Sequence, residues 1–581
     1  MKRILLIAPL LFLLACAGKK ENWVDLVIFN ANIYTVDSAF SVKQSMAVNL
    51  GRIVATGTNE EIKAKYNSST LLDAGGKTIL PGFIDAHCHF LGYGLGLQKA
   101  DLTGTRSFDD VLQRVMEFNS QNTLLLDKNK NEITWTLGRG WDQNDWEVKE
   151  FPTKDKLDSL FPTQPVFLKR VDGHAALVNS VALQLAGITD STHIDGGELL
   201  KYETEIQGKK SKKPGTKKKG PPKKGLTGVL IDNAVDLVAK VIPQASKEQM
   251  QKALLMAQDN CFAVGLTTVD DAGLMKEEID VIDELQKIEK LKMRVYAMLS
   301  DSAPNYAYYL KTGPYKTDKL NVRSFKFYAD GALGSRGACL LQEYEDKKGW
   351  KGFLLSDKKH FEEKAKLLIE KGFQMNTHCI GDSSDRIIGQ IYQSVAKANS
   401  RWRIEHAQVV NAGDFNLFKN IIPSVQPTHA TSDMYWAEER LGREREKYAY
   451  AYKDLLKAAG LVALGTDFPV EDISPFKTFY AAVFRKDAKG FPEGGYQMEN
   501  ALTREETLRG MTIWAAYSNF EEKEKGSLEP GKFADFIILD TDLVKCAESE
   551  VLNANVLFTY LNGQMVYERI DTSIPSPLPP P

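Results

Sequence analysis

Cysteine is scarce, with six in 581 residues. That is too few to staple a chain of this length, which excludes a disulfide scaffold and leaves scattered free thiols as the expectation. Excess charge of one sign is also missing. Lys and Arg total 74 against 76 Asp and Glu, a formal net charge of -2, so no global argument for nucleic-acid binding exists. No apolar run reaches the roughly 18 residues of a membrane-spanning helix. No Gly-x-Gly-x-x-Gly follows the first strand-like run, which counts against an open doubly wound sheet. Histidine occurs only eight times, so each one can be weighed individually. What is present is 43% hydrophobic and 26% charged. That is enough apolar material for a core, and it excludes a wholly disordered chain.

The first residues differ from the rest. Lys2 and Arg3 precede the short apolar stretch Ile4 to Leu14, then Leu13-Leu14-Ala15-Cys16 and the polar Ala17-Gly18-Lys19-Lys20. This is the pattern of a secretory signal. The Leu-x-Ala-Cys ending resembles a bacterial lipobox, which implies a signal peptide over 1–15 and lipidation of Cys16. Acyl chains contribute about 0.8 kcal/mol per buried CH₂, so several chains anchor durably. The expected location is the cell envelope, on an outer-membrane or periplasmic face.

Three regions follow. Residues 22–80 alternate in short β-rich runs around turn residues and read as half of a small β-sandwich. Residues 81–520 alternate β-rich runs with helical periods. Pro165–Arg170, Thr267–Asp270, Arg294–Leu299, Ser324–Ala329, Gln374–Cys379, Arg401–His406 and Leu461–Gly465 are examples of the former. Repeated strand-then-helix units predict an α/β fold, a (β/α)₈ TIM-like barrel. Residues 521–572 turn β-rich again, with Asn562-Gly563 as a hairpin turn, and supply the other half of the sandwich. The Pro-rich tail 573–581 reads as disordered. Within 208–225 lie nine lysines and no acidic residue. Such a segment cannot offset its ordering entropy by burial and reads as a solvated insert. It also suits anionic headgroups near an anchored surface.

Ile84-Asp85-Ala86-His87-Cys88-His89 closes the first apolar run of the barrel region. Side chains two apart on a strand share a face, so His87 and His89 can meet one metal ion while Cys88 points away. Barrel active sites form at the ends of such strands. His378 ends Gln374-Met375-Asn376-Thr377-His378, His406 ends Arg401-Trp402-Arg403-Ile404-Glu405-His406, and Asp467 follows Leu464-Gly465-Thr466. Imidazoles and carboxylates in equivalent places are the usual ligands of a catalytic divalent ion, Zn²⁺ foremost.

These residues resemble the amidohydrolase superfamily. Pro81-Gly82-Phe83-Ile84-Asp85-Ala86-His87-Cys88-His89 is similar to its first metal motif. Gly140-Trp141-Asp142, Arg170-Val171-Asp172-Gly173-His174, Lys326 to Arg336, Arg403 to Gln408 and Gly465 to Val470 resemble its YtcJ-like, type-3 branch, which includes N-substituted formamide deformylase. The resemblance covers about 22–570. It implies His87 and His89 on the first strand, Lys326 on the fourth, His378 on the fifth, His406 on the sixth and Asp467 on the eighth, holding one or two divalent ions. It also implies that Lys326 can be N-carboxylated to bridge two metals. Burial and nearby cations would favour the neutral amine that captures CO₂. If Lys326 is instead an ordinary paired lysine, opposite Asp330, the site is mononuclear. His174 and His429 are expected as substrate or oxyanion contacts, with Trp141 and Asp142 shaping the pocket. His193 and His360 read as surface residues, and Cys88 and Cys379 as core thiols.

The implied activity is metal-dependent hydrolysis of non-peptide C–N bonds, amide or formamide-like, by metal-activated hydroxide, with Asp467 carrying the proton to the leaving nitrogen. Two alternatives stand: a metal-dependent esterase or lactonase, and a catalytically silent binding or regulatory lipoprotein. The expected partners are a small amide-type substrate and a membrane reached through the lipid anchor. Nucleic acid is not among them, and a homodimer is allowed.

Overall fold

The β-rich runs of the middle region pair in parallel, in chain order. A computed structural model describes residues 22–121, 135–170, 175–194, 197–202 and 224–570. In it, eight strands follow one another in a single sheet: Phe83–Cys88, Leu266–Leu274, Arg294–Ser300, Leu320–Tyr328, Gln374–Cys379, Arg403–His406, Ile422–Val425 and Ala463–Leu464. They are numbered below as barrel strands one to eight. Helices follow most of them, among them Ala303–Thr312, Lys358–Lys371, Asp382–Val395 and Tyr452–Ala459. Lys358–Lys371 shows why: Phe361, Ala365 and Leu368 recur at helical spacing and are buried, and Gly372 ends the helix in the left-handed region.

The first and eighth strands come together beyond the end of the eighth. The backbone N–H of Asp467 donates to the His87 carbonyl at 2.8 Å. Thr466 donates to Asp85 from its N–H at 3.0 Å and from its hydroxyl at 2.6 Å. Gly465 permits this approach, because a Cβ there would lie 2.5 Å from the His87 nitrogen. The sheet is thus a nearly closed (β/α)₈ barrel.

Both chain ends build the expected sandwich. One sheet has four strands, in the order Arg52–Gly57, Ser45–Asn49, Leu26–Phe29, Leu71–Asp73. The other has six, in the order Gln564–Glu568, Val556–Leu561, Phe536–Leu539, Thr78–Pro81, Asn32–Tyr34, Val42–Lys43. Ile28, Ile33, Met46, Val48, Ile79, Phe536 and Ile538 are buried in the core they share. Asn562 and Gly563 take φ of 50° and 68°, the double left-handed conformation that a tight two-residue hairpin needs.

The described residues divide into two compact units. The first comprises the described residues within 22–88, 259–276 and 292–570 and carries the barrel and the sandwich; the second comprises those within 89–258 and 277–291. The second unit has its own six-stranded sheet, ordered Ala100–Asp101, Thr136–Trp141, Val166–Arg170, Ala175–Val178, Leu226–Asp232, Gly197–Lys201. Two apolar clusters serve it, one around Trp141, Val166 and Leu168 and one around Phe167, Val178 and Leu230.

This corrects the reading of 81–520 as barrel throughout. The run Pro165–Arg170 lies in the second unit's sheet, where Val166–Arg170 pairs antiparallel with Ala175–Val178. The barrel's seventh strand is instead Ile422–Val425. It is short and contains Pro423, which weakens any strand signal in the sequence. The signal segment with Cys16, residues 208–223 of the lysine-rich insert, and the tail 573–581 lie outside the described residues. Among the described residues no helix is long and apolar enough to cross a membrane, and the five described cysteines are free thiols.

Candidate metal centre

Strand alternation puts His87 and Lys326 on inward faces of barrel strands one and four, and both are buried. Nζ of Lys326 donates to Nε2 of His87 at 3.0 Å. Nε2 of His87 is 3.9 Å from Oδ1 of Asp467. His378, on strand five, and His406, at the end of strand six, have ring centroids 4.6 Å apart, and His406 is 4.7 Å from His87. His429 lies in the helix Pro427–Asp433 that follows strand seven. Its ring stacks on His406 at 5.9 Å, and its Nε2 is 3.7 Å from Oδ2 of Asp467. One cluster thus gathers side chains from strands one, four, five and six and from the segments after seven and eight.

Two triads within it could each hold an ion. Ligand atoms of His406, His429 and Asp467 lie within 4.8 Å of one another, and so do those of His87, His89 and Asp467. His89 is joined to the first strand by Cys88 alone. It does not continue that strand but begins the helix Phe90–Gly96.

The backbone under this cluster is held in an uncommon conformation. His406 and Asp467 have φ of 73° and 63°, in the left-handed region. Non-glycine residues there cost on the order of 1–3 kcal/mol and persist where the surroundings fix them, often at functional sites. For Asp467 the fixing contact is its N–H to the His87 carbonyl.

Electrostatics leave His87, His378 and His406 neutral. Burial, reinforced by Lys326, pushes His87 down to about 4. Burial, with Lys326 and His87 nearby, pushes His378 down to about 3. Burial and the neighbouring His378 hold His406 well below the usual histidine range. Burial lowers Lys326 to about 8, although Glu405 and Asp467 oppose the shift. Neutral imidazole is the form that ligates a metal. Nδ1 of His406 donates to Oε1 of Gln426 at 2.7 Å, so its Nε2 keeps a lone pair. The Nε2 atoms of His378 and His429 are buried with no hydrogen-bond partner. Buried nitrogens left this way are costly. Together with a carboxylate and an amine, they form a donor set that fits a divalent cation of the Zn²⁺ type.

Asp330 does not pair with Lys326. Its carboxylate accepts from the N–H groups of Cys339, Ile380 and Gly381 and from the Ser384 hydroxyl, at 2.7–3.0 Å, and so ties the loop after strand four to the end of strand five. Cys88 and Cys379 are buried. His360 is paired with Asp301 at 2.7 Å near the surface. His174 lies outside the described residues. Trp141 and Asp142 belong to the second unit. Trp141 is 1% exposed within its core and donates from its indole N–H to the Leu168 carbonyl. Asp142 caps a short 3₁₀ turn and pairs with Arg170 at 2.6 Å. Their contacts are those of packing and turn residues.

Several neighbours of the cluster carry no sequence signal of their own. Gln426 orients His406, and Glu405 touches His87. Tyr328, the last residue of strand four, is 46% exposed, and its ring lies 5.6 Å from His378 and 5.0 Å from Nζ of Lys326. Its place two residues beyond Lys326 on the same strand was the only available hint.

The amidohydrolase family model matches residues 70–567. The chain belongs to the amidohydrolase family. This amidohydrolase is 31% identical over 553 residues to YtcJ of Bacillus subtilis (strain 168), covering 92% of this chain and 98% of that protein. It is 26% identical over 579 residues to the N-substituted formamide deformylase of Arthrobacter pascens, covering 94% and 98%. Among solved structures, a metal-dependent hydrolase from Pyrococcus horikoshii OT3 superposes with a TM-score of 0.73 at 26% identity, covering 90% of this chain and 99% of that one. Family, fold and donor set agree on a metal-dependent hydrolase of the amidohydrolase superfamily.

Proposed function

We propose that this amidohydrolase hydrolyses a non-peptide C–N bond, of an amide or formamide type, with one or two zinc ions held by His87, His89, Lys326, His378, His406 and Asp467. The observation that carries the reading is the convergence of His87, His89, His406 and His429 on one carboxylate, Asp467, at the ends of the barrel strands, with His87 and His406 buried and held neutral. The similarity to N-substituted formamide deformylase supports the choice of bond.

When bound, the cation supplies a Lewis acid and water with a pKa of about 7. The chain's own groups do the rest. Asp467, fixed through its backbone to strand one, accepts the proton of the attacking water. It passes that proton to the leaving nitrogen, because an amine leaves badly unless protonated. His429, 3.7 Å from Asp467, is placed to donate to the substrate or to share that proton. Tyr328 forms an exposed aromatic wall beside the cluster. Lys326 has a second role open to it. As a neutral amine it would add to CO₂ through its nitrogen lone pair and lose a proton to solvent, giving a carbamate that would offer anionic oxygen as a further ligand for the metal site.

The reading extends to location. The Lys2 to Cys16 pattern supports export and a lipid anchor on Cys16, and with them a substrate met outside the cytoplasm.

The test is elemental analysis of the purified protein lacking residues 1–16, with matched formamide, amide and ester panels and chelator controls. Chelator-sensitive turnover of formamides or amides above the matched esters is expected. Preferential ester or lactone turnover would replace the C–N assignment. Full activity in metal-free protein would overturn the mechanism. His406→Asn, which keeps a residue tolerant of positive φ, should lose turnover while remaining folded.

A further inference from the structure

A line of buried charges crosses the barrel interior and ends on the cluster. Asp270 is on strand two, Arg403 and Glu405 are on one face of strand six, and His87 is on strand one; all four are fully buried. Arg403 grips Glu405 with two bonds, Nε to Oε1 at 2.7 Å and Nη2 to Oε2 at 3.0 Å. The same guanidinium donates from Nη1 to Oδ2 of Asp270 at 2.8 Å and from Nη2 to the Ser424 hydroxyl at 2.9 Å. Asn519 donates to the other Asp270 oxygen at 2.6 Å. The far oxygen of Glu405, Oε2, meets Nδ1 of His87.

This arrangement determines the state of His87. Both oxygens of Glu405 accept from the Arg403 guanidinium, and Oε2 is also the atom that meets Nδ1 of His87, the geometry of a carboxylate paired with a cation. An ionised carboxylate only accepts hydrogen bonds, so Nδ1 of His87 must be the donor. A neutral imidazole has one N–H, so Nε2 carries the lone pair, and Nε2 is the atom facing Lys326 and Asp467. Stability alone does not call for such a line. Buried ion pairs can often be exchanged for apolar packing without loss.

We propose that Glu405 is a positioning residue for metal loading, selecting the tautomer and fixing the ring of His87, and that Arg403, anchored by Asp270, holds Glu405 in place. Carboxylates behind ligating histidines raise ligand basicity, and their loss costs about 10–100-fold in metal affinity.

The inference rests on the metal reading above, and the test separates the two. Zn²⁺ affinity is measured by chelator competition on metal-stripped protein, alongside its melting temperature. The proteins are wild type, Glu405→Gln, Arg403→Gln/Glu405→Gln, and Asp535→Asn as a control in the buried Arg294–Asp535 ion pair. Glu405→Gln retains the shape of the side chain, and the double variant removes the Arg403–Glu405 pair as a unit, leaving Asp270 with Asn519 as its partner. Both should weaken Zn²⁺ binding by about 10–100-fold. Asp535→Asn should lower the melting temperature and leave Zn²⁺ affinity unchanged. If wild type binds no Zn²⁺, the metal reading itself falls. If wild type binds and the Glu405 variants bind equally well, or lose no more than Asp535→Asn, the positioning role is overturned.

Discussion

Nζ of Lys326 and Nε2 of His87 are 3.0 Å apart, both buried, with Lys326 lowered to about 8. An ammonium has no lone pair to share, so its usefulness at this place depends on becoming neutral. Lys326→Met keeps the bulk and removes the nitrogen. Ion content per chain should fall below that of wild type, and turnover of a responsive amide should fall by about 100-fold. Elemental analysis with rate measurements checks this. A variant with wild-type ion content excludes the lysine from the ligand set.

The histidine environment sets the pH range of loading. His87 is held at about 4 and His378 at about 3, so near neutrality neither has a proton to lose before ligating. In the Lys326→Met protein the amine no longer titrates and one of the charges that lower His87 and His378 is gone, so Zn²⁺ affinity should hold near neutrality and fall in acid from a point above the wild-type His87 value of about 4 but below the ordinary histidine value of about 6.5. Chelator competition at three pH values measures it. A steep fall centred near 6.5, the ordinary histidine value, would show that these imidazoles are not desolvated.

How much of this was legible beforehand follows from chain separation. His87, His378, His406 and Asp467 each come directly after a β-rich run, and strand-end position is a local property that a sequence displays. Lys326 was visible only through its family motif. Glu405 was not visible as a functional group, because a glutamate beside a histidine is unremarkable until the fold brings it to His87, 318 residues away. Gln426 was hidden for the same reason. In the fold, the sandwich was readable from alternation and from Asn562-Gly563. The seventh barrel strand was obscured by Pro423. The second unit was merged with the barrel because Val166–Arg170, which pairs in parallel with Thr136–Trp141, opens with the apolar Val-Phe-Leu of a barrel strand.

Asp385 makes a pH-dependent contribution to stability. Both its carboxylate oxygens are buried with no hydrogen-bond partner. Burial, with Asp330 and Asp382 nearby, pushes its carboxyl well above the usual range. The folded protein therefore keeps this proton, while the unfolded chain releases it above about pH 4. Above that pH the unfolded state binds fewer protons, so stability falls as pH rises toward the folded value. Asp385→Asn removes that slope. Its stabilisation over wild type should grow by up to about 1.4 kcal/mol per pH unit. Melting temperatures at about pH 5 and pH 7 decide it: equal effects at both would mean that the carboxyl is already ionised in the fold.

A buried ion pair links the sandwich to barrel strand three. Arg294 opens strand three, and its guanidinium grips Asp535 with Nε at 2.6 Å and Nη2 at 3.0 Å. It also donates to Oδ1 of Asn562 at 2.7 Å and lies 3.9 Å from the Phe533 ring centre. Asp535 in turn accepts from the N–H of Asn562 at 2.9 Å, so the hairpin turn and the barrel strand share one carboxylate. Removing that carboxylate leaves a guanidinium without its counterion in a place water barely reaches. Asp535→Ala should cost about 3–5 kcal/mol, whereas Arg294→Met/Asp535→Leu, which removes both charges, should cost much less. Denaturant unfolding of the single and double variants tests this. A double variant as unstable as the single one would mean that the pair contributes through shape and hydrogen bonds to Asn562, and not through the burial of an uncompensated charge.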